Sequence, residues 1–483
     1  MITDRRGFLV GAAVSAAGAC ASALANPVTD ASRVGVLPPT AAYDVVVVGG
    51  GPAGVCAAVA AARNGAKTLV LDEGNCLGGM ATKGLVGPFM TCYDSKGEEQ
   101  IIKGLFEEIV QALVKVGGAI HPKDVRAGTP YSAWITRGHD HVTPFDSDAL
   151  TFVLDDLVAA SGAEVLYHAT FLRPVKDGEK VVGVEVATKG GVERIGAKVV
   201  VDATGDGDVA FRAGVPCVKG DPERAGTMQP CTTFFRISGL PLATLLEDFR
   251  SHGGGMKRRL LSWYVEKAKA AGEWTIPRPH INLYLLPHDG EWFVNVSRMN
   301  GVDATDPKAL SKAETLGRRQ VREVMNLFRK YLPNGENIRL SGLATTLGIR
   351  ETRHVMGEYV LDRDDILEGR VPADTIARCA YAIDLHGGAG KSGTLFQTIR
   401  NGSFYGIPYR SLVPRRVDNL LVAGRCISGT AVAAASYRVM PPAMATGEAA
   451  GTAAALCAKT GTMPRALDAP TLVSRLRAQN ACV

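Results

Sequence analysis

The feature that most constrains the fold is a short apolar strand followed directly by a glycine-rich turn and a helix of small residues. Four consecutive valines at residues 45–48 predict a buried parallel strand. The turn GGGPAG at residues 49–54 contains G-x-G-x-x-G, and an alanine-rich helical pattern covers residues 52–64. A second strand at residues 67–71 ends on Asp72, which is placed to bind ribose hydroxyls. This order predicts a dinucleotide-binding βαβ unit, and the alternative is a glycine-rich turn in an ordinary βαβ unit.

The residues of this turn have separate expected roles. Gly49 makes the tight turn, Gly51 lets a pyrophosphate approach the backbone, and Gly54 lets the helix pack closely on the strand. The first helical turn, which contains Pro52 and Ala53, presents free N–H groups and the positive end of the helix dipole. We therefore expect phosphate groups to bind at the start of this helix.

Composition is that of an ordinary globular protein. The chain has 483 residues, of which 46% are hydrophobic and 21% charged, so it is long enough for two or three domains with large cores. The net charge of +6 is small and no long basic run occurs, so no nucleic-acid partner is expected. The ten cysteines are scattered without a C-x-x-C pair, which argues against a disulfide framework, disulfide reductase chemistry and a metal site.

The N-terminus is typical of an export signal. Arg5 and Arg6 are followed by Phe-Leu and by an uncharged, mildly apolar run at residues 10–25 that ends in Ala-Leu-Ala. This pattern predicts a twin-arginine signal peptide at residues 1–25 and a linker at residues 26–42. The expected location is the periplasm or another compartment reached by twin-arginine export, without a stable membrane span in the mature chain. The alternatives are an uncleaved anchor and a basic start that arose by chance.

The order of predicted elements indicates a cofactor-binding domain interrupted by a second domain. We expect its first part at residues 43–214, a substrate or cap domain at residues 215–409, and a return to the first domain at residues 410–483. The middle part mixes alternating strands with polar helices, whereas the last part contains a buried strand and a helix of small residues. The expected elements are helices 104–116, 146–160, 307–331 and 440–458 and strands 164–171, 181–187, 198–202, 232–237, 281–286, 292–296 and 420–424.

Three further segments distinguish FAD from NAD. LGGMAT at residues 77–82 supplies a glycine pair that wraps closely around a pyrophosphate and ribityl chain, and DATGDGD at residues 202–208 is a strand end with a small-residue turn. VAGRCIS at residues 422–428 precedes RVMPPAM at residues 438–444. A helix that begins near Pro441 would direct its positive dipole end at the flavin and stabilise the anionic reduced form. No second glycine-rich fingerprint occurs, so we expect no separate NAD(P)H domain.

On these motifs, together with GIRE-x-R at residues 348–353 and IPYRSL at residues 407–412, the chain resembles the FAD-dependent oxidoreductase family. The resemblance extends over residues 43–459 and implies FAD as cofactor. It also implies an α/β fold, with a Rossmann-like FAD-binding domain and an inserted α+β substrate or cap domain. For Arg425, as for Arg438, the alternative is a structural salt bridge. The residues implied to bind FAD are Gly49, Gly51, Pro52, Ala53, Gly54, Asp72, Gly78, Gly79, Met80, Ala81, Thr82, Ala203, Thr204, Gly205, Gly424, Arg425, Met440, Pro441, Met444 and, through its backbone at a strand end, Phe171.

Flavin chemistry needs a C–H bond held near the flavin and usually a base or an anchoring cation. Arg350, Arg353 and His354 share one face if their segment is helical, and Arg350 is then placed to clamp a carboxylate or to stabilise an enolate. His386, at a strand end, is placed to take a proton near neutral pH. Arg350 and His386 are therefore the catalytic candidates, with packing or salt bridging as the alternative for each.

Three other features of the sequence are given a minor role or no functional role. Tyr381 and Tyr409 are secondary options for catalysis. The GGAGKS segment at residues 387–392 lacks the glycine spacing of a phosphate loop and is interpreted as a flexible loop. His139 and His141 flank an aspartate without a supporting ligand pattern, so their segment is interpreted as a surface loop and no metal is expected.

The sequence therefore predicts an exported FAD-dependent oxidoreductase. The leading hypothesis is a dehydrogenase or oxidase that takes a hydride from a small-molecule substrate and passes the electrons to oxygen, a quinone or a cytochrome. One alternative is a periplasmic reductase of an activated C=C bond. The other is a flavin-carrying binding protein without turnover.

Overall fold

The computed structural model describes residues 41–252, 259–387 and 394–483. The predicted signal peptide and most of the predicted linker and GGAGKS loop lie outside the described residues.

The α-helices are α1 (Pro52–Arg63), α2 (Leu105–Lys115), α3 (Ser147–Ser161), α4 (Asp208–Ala213), α5 (Leu242–Ser251), α6 (Ser262–Ala270), α7 (Pro307–Tyr331), α8 (Arg363–Leu367), α9 (Ala431–Tyr437), α10 (Met440–Thr460) and α11 (Ala469–Ala478). The strands are β1 (Ala41–Val48), β2 (Thr68–Leu71), β3 (Glu164–Leu166), β4 (Thr170–Asp177), β5 (Lys180–Thr188), β6 (Gly191–Asp202), β7 (Cys217–Lys219), β8 (Phe235–Ser238), β9 (Asn282–Leu285), β10 (Trp292–Asn295), β11 (Arg339–Leu343), β12 (Arg353–Val355), β13 (Thr375–Cys379), β14 (Ile383–His386), β15 (Thr394–Gln397), β16 (Tyr405–Pro408) and β17 (Leu420–Val422).

A seven-stranded sheet carries the predicted dinucleotide-binding unit. Its strands lie in the order β3-β2-β1-β6-β5-β4, and β17 also pairs with β6. Strands β1, β2, β3, β6 and β17 pair in parallel, whereas β4 and β5 pair antiparallel at one side. The valines at residues 45–48 are at most 3% exposed, because both faces of a parallel strand are covered. The predicted strand, helix and second strand at the start of the fold are confirmed.

Several strand boundaries differ from the sequence predictions: β6 begins at Gly191 instead of residue 198, β8 begins at Phe235 instead of residue 232, and two further differences lie in the seven-stranded sheet. Strand β1 begins at Ala41, so the last two residues of the predicted linker pair with β6. The predicted strand at residues 164–171 is in fact two strands, β3 and β4, and Phe171 is the second residue of β4 instead of the end of a strand. The chain turns between them because His168 has a left-handed φ of 53°.

Helix α10 lies directly against α1, so the C-terminal part of the chain packs on the first βαβ unit. Small residues make this contact possible. A Cβ atom at Gly447 would overlap the carbonyl group of Ala53, and one at Gly451 would overlap that of Ala57. Backbones that approach this closely leave no room for larger side chains.

A second hydrophobic core lies in the middle of the chain. The antiparallel sheet β11-β8-β10-β9 packs with α6 and α7 around the fully buried Trp292. The buried residues of this core come from positions 235–338. Leu361, Ile376 and Tyr405, which lie within the predicted cap at residues 215–409, belong instead to the first core.

Helix α7 has the bounds that the sequence predicts. Asp306 caps its N-terminus by accepting hydrogen bonds from the next backbone N–H groups, and proline occupies the first helical position. Its buried positions Val321, Val324, Met325 and Phe328 follow helical spacing and face the second core. Among the described residues, no helix is both long and apolar enough to cross a bilayer.

Candidate active site

One cavity of about 1170 Å³ extends from the glycine turn after β1 to the strands β9 and β10. We call the part around Gly51 and Gly79 the cofactor half, and the part around Arg350 and His386 the substrate half. Small-molecule pockets usually enclose about 300–1,000 Å³, so this cavity is large enough for a dinucleotide together with a substrate.

The glycine turn forms the floor of the cofactor half. Gly49 has a φ of +100°, and a Cβ atom there would lie 2.6 Å from the carbonyl oxygen of Ala203. A Cβ atom at Gly54 would overlap the Gly49 carbonyl, so Gly54 permits the close packing predicted for it. Gly51, by contrast, faces open space, with no described atom within 4 Å of its Cβ position. No described side chain caps α1 at Gly51, so the helix N-terminus is open to an anion.

The LGGMAT segment lies beside this helix N-terminus. The Gly78 N–H donates to the Gly50 carbonyl at 2.8 Å. A Cβ atom at Gly79 would lie 2.9 Å from the Gly51 Cα, so only a glycine leaves the groove between the two segments open. These open glycine surfaces fit a pyrophosphate, which the sequence analysis assigned to them.

Asp72 lies at the carboxyl end of β2 and lines the cavity. Its carboxylate accepts hydrogen bonds from the N–H groups of Gly50 at 3.0 Å and Gly74 at 2.7 Å. It also forms an ion pair with Lys83, a second cavity residue that the sequence analysis did not identify. These contacts hold the carboxylate where ribose hydroxyls are expected.

Phe171 and Arg212 line the cavity near the same edge of the sheet. The Arg212 guanidinium lies 5.4 Å from the Phe171 ring centroid and donates to the backbone carbonyl of Leu172. The predicted adenine contact through the Phe171 backbone therefore remains a prediction, with Arg212 as an additional neighbour.

Most of the residues implied to bind FAD line the cavity. Those that line it are Gly49, Gly51, Pro52, Ala53, Asp72, Gly79, Met80, Phe171, Ala203, Thr204, Gly205, Gly424, Arg425 and Met440. Thr82 instead donates to the Leu77 carbonyl at 2.6 Å, and Met444 is 2% exposed. The residues that lie behind the cavity wall are Gly54, Gly78, Ala81, Thr82, Pro441 and Met444.

A buried carboxylate shapes the DATGDGD turn. Asp202 is fully buried and accepts hydrogen bonds from Thr204 Oγ1 at 2.7 Å and from the Ala210 N–H at 2.9 Å. Burial raises the pKa of Asp202 to about 6, although these hydrogen bonds favour its charged form. Asp202 therefore fixes the turn between β6 and α4, and Thr204 and Gly205 reach the cavity on that turn.

Arg425 connects three segments beside this turn. It donates to the carbonyl oxygens of Gly205 at 2.9 Å and Ile349 at 2.5 Å, and pairs with Asp206 at 2.6 Å. This is the structural salt bridge that the sequence analysis gave as the alternative for Arg425. Because Arg425 also lines the cavity, its predicted contact with FAD stays a prediction.

Arg350 enters the substrate half from an extended segment. The predicted helical face of Arg350, Arg353 and His354 is wrong, because Gly348 bridges to Thr232 and Arg353 begins β12, which pairs with β7. Arg350 donates to the Pro230 carbonyl at 2.6 Å and to Thr232 Oγ1 at 2.7 Å. Burial, assisted by neighbouring cations, lowers the pKa of Arg350 to about 9, so the guanidinium is charged at neutral pH.

His386 ends β14 and lies beside the carboxylate of Asp384. Its Nε2 is 3.4 Å from Asp384 Oδ2, and its Nδ1 is 3.1 Å from Thr394 Oγ1. Burial and the nearby arginines lower the pKa of His386 to about 3 despite this carboxylate. At pH 7 the imidazole is therefore neutral, and the role of His386 in taking a proton stays a prediction. Tyr381 donates to the same Asp384 oxygen at 3.2 Å.

The His139–Asp140–His141 segment is not a surface loop. His141 is 2% exposed and stacks on Tyr93, with ring centroids 3.9 Å apart, while His139 lines the cavity. The other tyrosine considered, Tyr409, donates to the Pro464 carbonyl and does not line the cavity. Within the described ranges, no three His, Cys, Asp or Glu side chains lie close enough together to hold a metal ion.

Sequence reasoning missed most of the basic residues of the substrate half. They come from separate loops and strand ends, so no spacing in the sequence brings them together. The only local signal was the segment PRPH at residues 277–280 just before β9, in which prolines alternate with basic residues. The missed residues are Arg137, Arg259, Arg278, His280 and Arg298. His139 was considered only as a metal ligand or part of a surface loop, and Arg438 only as part of a cofactor motif or a salt bridge.

The parallel sheet, the open glycine turn and the adjoining cavity define a dinucleotide-binding protein of the α/β class. The model for FAD dependent oxidoreductases matches residues 44–478. The chain belongs to the FAD-dependent oxidoreductase family and is an enzyme whose cofactor is FAD. The open cradle at Gly51 and Gly79 fits this cofactor.

Similar proteins include both reductases and a dehydrogenase. Digeranylgeranylglycerophospholipid reductase of Picrophilus torridus is 30% identical over 165 residues, covering 34% of this chain and 39% of that protein. Pseudooxynicotine dehydrogenase of a Pseudomonas species is 47% identical over 84 residues, covering 16% of this chain and 17% of that protein. The chain thus matches less than half the length of these curated relatives. A geranylgeranyl bacteriochlorophyll reductase-like protein of Thermoplasma acidophilum is similar over 91% of this chain and 84% of that chain, at 13% identity and a TM-score of 0.41.

Proposed function

We propose that this enzyme is a dehydrogenase or oxidase that removes a hydride from a small organic substrate. The observation that supports this most directly is the single cavity, in which the cofactor half continues into a half lined by Arg350, Tyr381 and His386. Bound FAD supplies a two-electron acceptor that takes a hydride from a C–H bond. Oxygen, a quinone or a cytochrome from outside the protein then receives the two electrons.

The side chains of the substrate half have roles that fit this reaction. A substrate that loses a hydride must also lose a proton, and we assign that proton to His386 Nε2, which lies 3.4 Å from Asp384 Oδ2. The Asp384 carboxylate raises the pKa of the imidazole and so favours its protonated form. Tyr381 donates to Asp384 and so keeps this carboxylate oriented towards the histidine. The charged Arg350 anchors the substrate or stabilises negative charge that develops on it.

Anaerobic mixing of the FAD-loaded protein with small organic compounds tests this proposal. We expect at least one compound to bleach the oxidised flavin band, and His386→Gln to slow the bleaching roughly 100-fold, because general-base catalysis contributes about that much. His288→Gln, at an exposed position outside the cavity, is the matched control and retains the normal rate.

Two results would contradict the proposal. If dithionite-reduced protein is reoxidised by an activated alkene while no compound bleaches the oxidised form, the enzyme is a C=C reductase. If the flavin responds to neither class of compound, the protein is a flavin-carrying binding protein.

We also propose that the protein is exported by the twin-arginine pathway. The support is the paired Arg5 and Arg6 before a mildly apolar run that ends in Ala-Leu-Ala. Cell fractionation of the full chain tests this, with an expected shift to the cytoplasm when both arginines are replaced by lysine. An unchanged distribution would overturn it.

A further inference from the structure

The substrate half of the cavity is strongly basic. Four half-buried arginines converge there from different parts of the chain. Two belong to the segments around the second core, and two belong to the segments before β12 and α10. Arg137 and Arg259 lie at its exposed rim. The four are Arg278, Arg298, Arg350 and Arg438.

Among the described residues, these four cations have no partner of opposite charge. Within the described parts of the chain, none of them lies within ion-pair distance of a carboxylate. Arg278 donates to Asn295 Oδ1 at 3.1 Å, and Arg298 donates to the Gly387 carbonyl at 3.1 Å. Their bonds therefore go to neutral groups, which orient a guanidinium without neutralising it.

Arg438 has a free donor as well. Its Nη2 donates to Gln229 Oε1 at 3.3 Å and to the Asp384 carbonyl at 3.2 Å. Its Nε is buried and has no hydrogen-bond partner among the described residues. An unsatisfied buried donor costs free energy unless a ligand supplies the acceptor.

Among the described residues of the substrate half, one carboxylate opposes this positive charge. It is Asp384, which is engaged with His386 and Tyr381. Burial, together with the neighbouring Arg298 and Arg259, lowers the pKa of Arg278 to about 10. Buried like charges are costly, and an anion bound among them would offset that cost.

We propose that the substrate half binds an organic substrate that carries at least two carboxylates, with Arg350 and Arg438 holding one and Arg278 and Arg298 holding the other. This proposal rests on the proposed function in one respect: both assume that the substrate binds in the substrate half of the cavity. Guanidinium groups match carboxylates in a fork geometry, and two arginine pairs from opposite parts of the chain provide two such sites.

Gln229 is a positioning residue in this arrangement. Its Oε1 accepts from Arg438 Nη2 at 3.3 Å and from the backbone N–H of His386 at 3.4 Å, while the backbone N–H of Gln229 donates to the buried Glu351 carboxylate at 2.9 Å. Gln229 thus fixes the anion-binding arginine relative to the proposed base. It contacts neither substrate nor cofactor in this proposal.

Titration of the FAD-loaded full chain with unreacted probe compounds tests the proposal. The probes are succinate, glutarate, butyrate, succinamide and inorganic phosphate, and binding is measured by calorimetry and by perturbation of the flavin spectrum. We expect succinate or glutarate to bind at least roughly 10-fold more tightly than butyrate and roughly 100-fold more tightly than the neutral succinamide, as charge-assisted bonds require. Arg438→Gln and Arg278→Gln should each weaken dicarboxylate binding roughly 10-fold or more.

Arg318→Gln is the matched control, because Arg318 is an exposed arginine on α7 outside the cavity. It should leave dicarboxylate binding unchanged. Equal binding of succinate and succinamide by the unaltered protein overturns the proposal whether or not the arginine variants fold. Binding of butyrate or phosphate as tight as that of the dicarboxylates also overturns it.

The results of this binding titration can be distinguished from the results of the bleaching experiment that tests the proposed function. Dicarboxylates that bind without any compound bleaching the flavin would support the site and refute the dehydrogenase. Bleaching by neutral compounds, with no dicarboxylate binding, would refute the site and support the dehydrogenase.

Discussion

Gly51 and Gly54 belong to one sequence motif but have different physical roles. Gly54 is in contact with the Gly49 carbonyl, whereas Gly51 faces the open cavity and has an ordinary φ of −70°. We expect Gly54→Ala to destabilise the fold by about 1–3 kcal/mol, because the added methyl group overlaps backbone. Gly51→Ala should retain the stability of the FAD-free protein and bind FAD roughly 10-fold more weakly, since its methyl group occupies the cofactor groove.

Urea unfolding of the FAD-free variants and FAD titration measure these two effects. Equal losses of stability in both variants would contradict the separate roles. Full FAD affinity in Gly51→Ala would show that the cofactor does not approach this residue.

The buried His386 gives the stability of the protein a defined pH dependence. Burial is the main reason why its pKa is about 3, and Arg350, Arg438 and Arg278 add to the effect while Asp384 opposes it. Below about pH 6.5 the unfolded chain binds a proton at this histidine that the native protein does not bind. The free energy of unfolding therefore falls as the pH drops from 6.5 towards 3, by up to about 2 kcal/mol at pH 5 from this group alone.

His386→Gln removes this contribution. Its free energy of unfolding should decrease less than that of the unaltered protein between pH 7 and pH 5, as measured by urea unfolding. His288→Gln, at an exposed position, should follow the unaltered protein. Parallel pH curves for His386→Gln and the unaltered protein would show that the buried imidazole is not the cause.

At the scale of elements, the contact between α1 and α10 determines where the C-terminal part lies. Gly447 faces Ala53 in the first turn of α1, and Gly451 faces Ala57 one turn later. A helical Gly→Ala change normally stabilises by about 1 kcal/mol. Here we expect both changes to destabilise by about 1–3 kcal/mol, because the helices must separate. Gly447→Ala should also weaken FAD binding more than Gly451→Ala does, since it displaces the first turn of α1.

Thermal unfolding of the two variants measures the loss of stability, and FAD titration measures the difference in their FAD affinity. Stabilisation by either substitution would show that the helices are not in backbone contact. An equal loss of FAD affinity in both would argue against a local effect at the glycine turn.

The elements also show which parts of the fold can be predicted locally. The predicted bounds of α7 are confirmed, and the features that support them, a capping aspartate, a proline at the first position and helical spacing, all lie within its own sequence. The segment around Arg350 resembled a helix by spacing alone, but pairing of Gly348 with Thr232 and of β12 with β7 holds it extended. Such pairing depends on residues more than 100 positions away, so local patterns do not contain it.

At the scale of the whole molecule, the cofactor groove brings together distant parts of the chain. Gly51, Gly79, Thr204 and Gly424 line one groove although more than 370 positions separate the first from the last. FAD should therefore stabilise the molecule as a unit, by about 2.7 kcal/mol at a free concentration 100 times its Kd. Urea unfolding of FAD-stripped protein at increasing FAD concentrations measures this. A midpoint that does not change with FAD would contradict it.

The sequence by itself determined the βαβ unit, the glycine turn, FAD as cofactor and most of the residues around its groove. These features are local, because each rests on a strand end and the turn that follows it, and the resemblance to a family covered the same motifs. Only the tertiary structure decided the character of the substrate half. Its arginines lie on separate segments, and burial beside Asp384 leaves His386 neutral. Charge in a cavity depends on which side chains meet there and how much water they lose, and neither is a property of a short stretch of sequence.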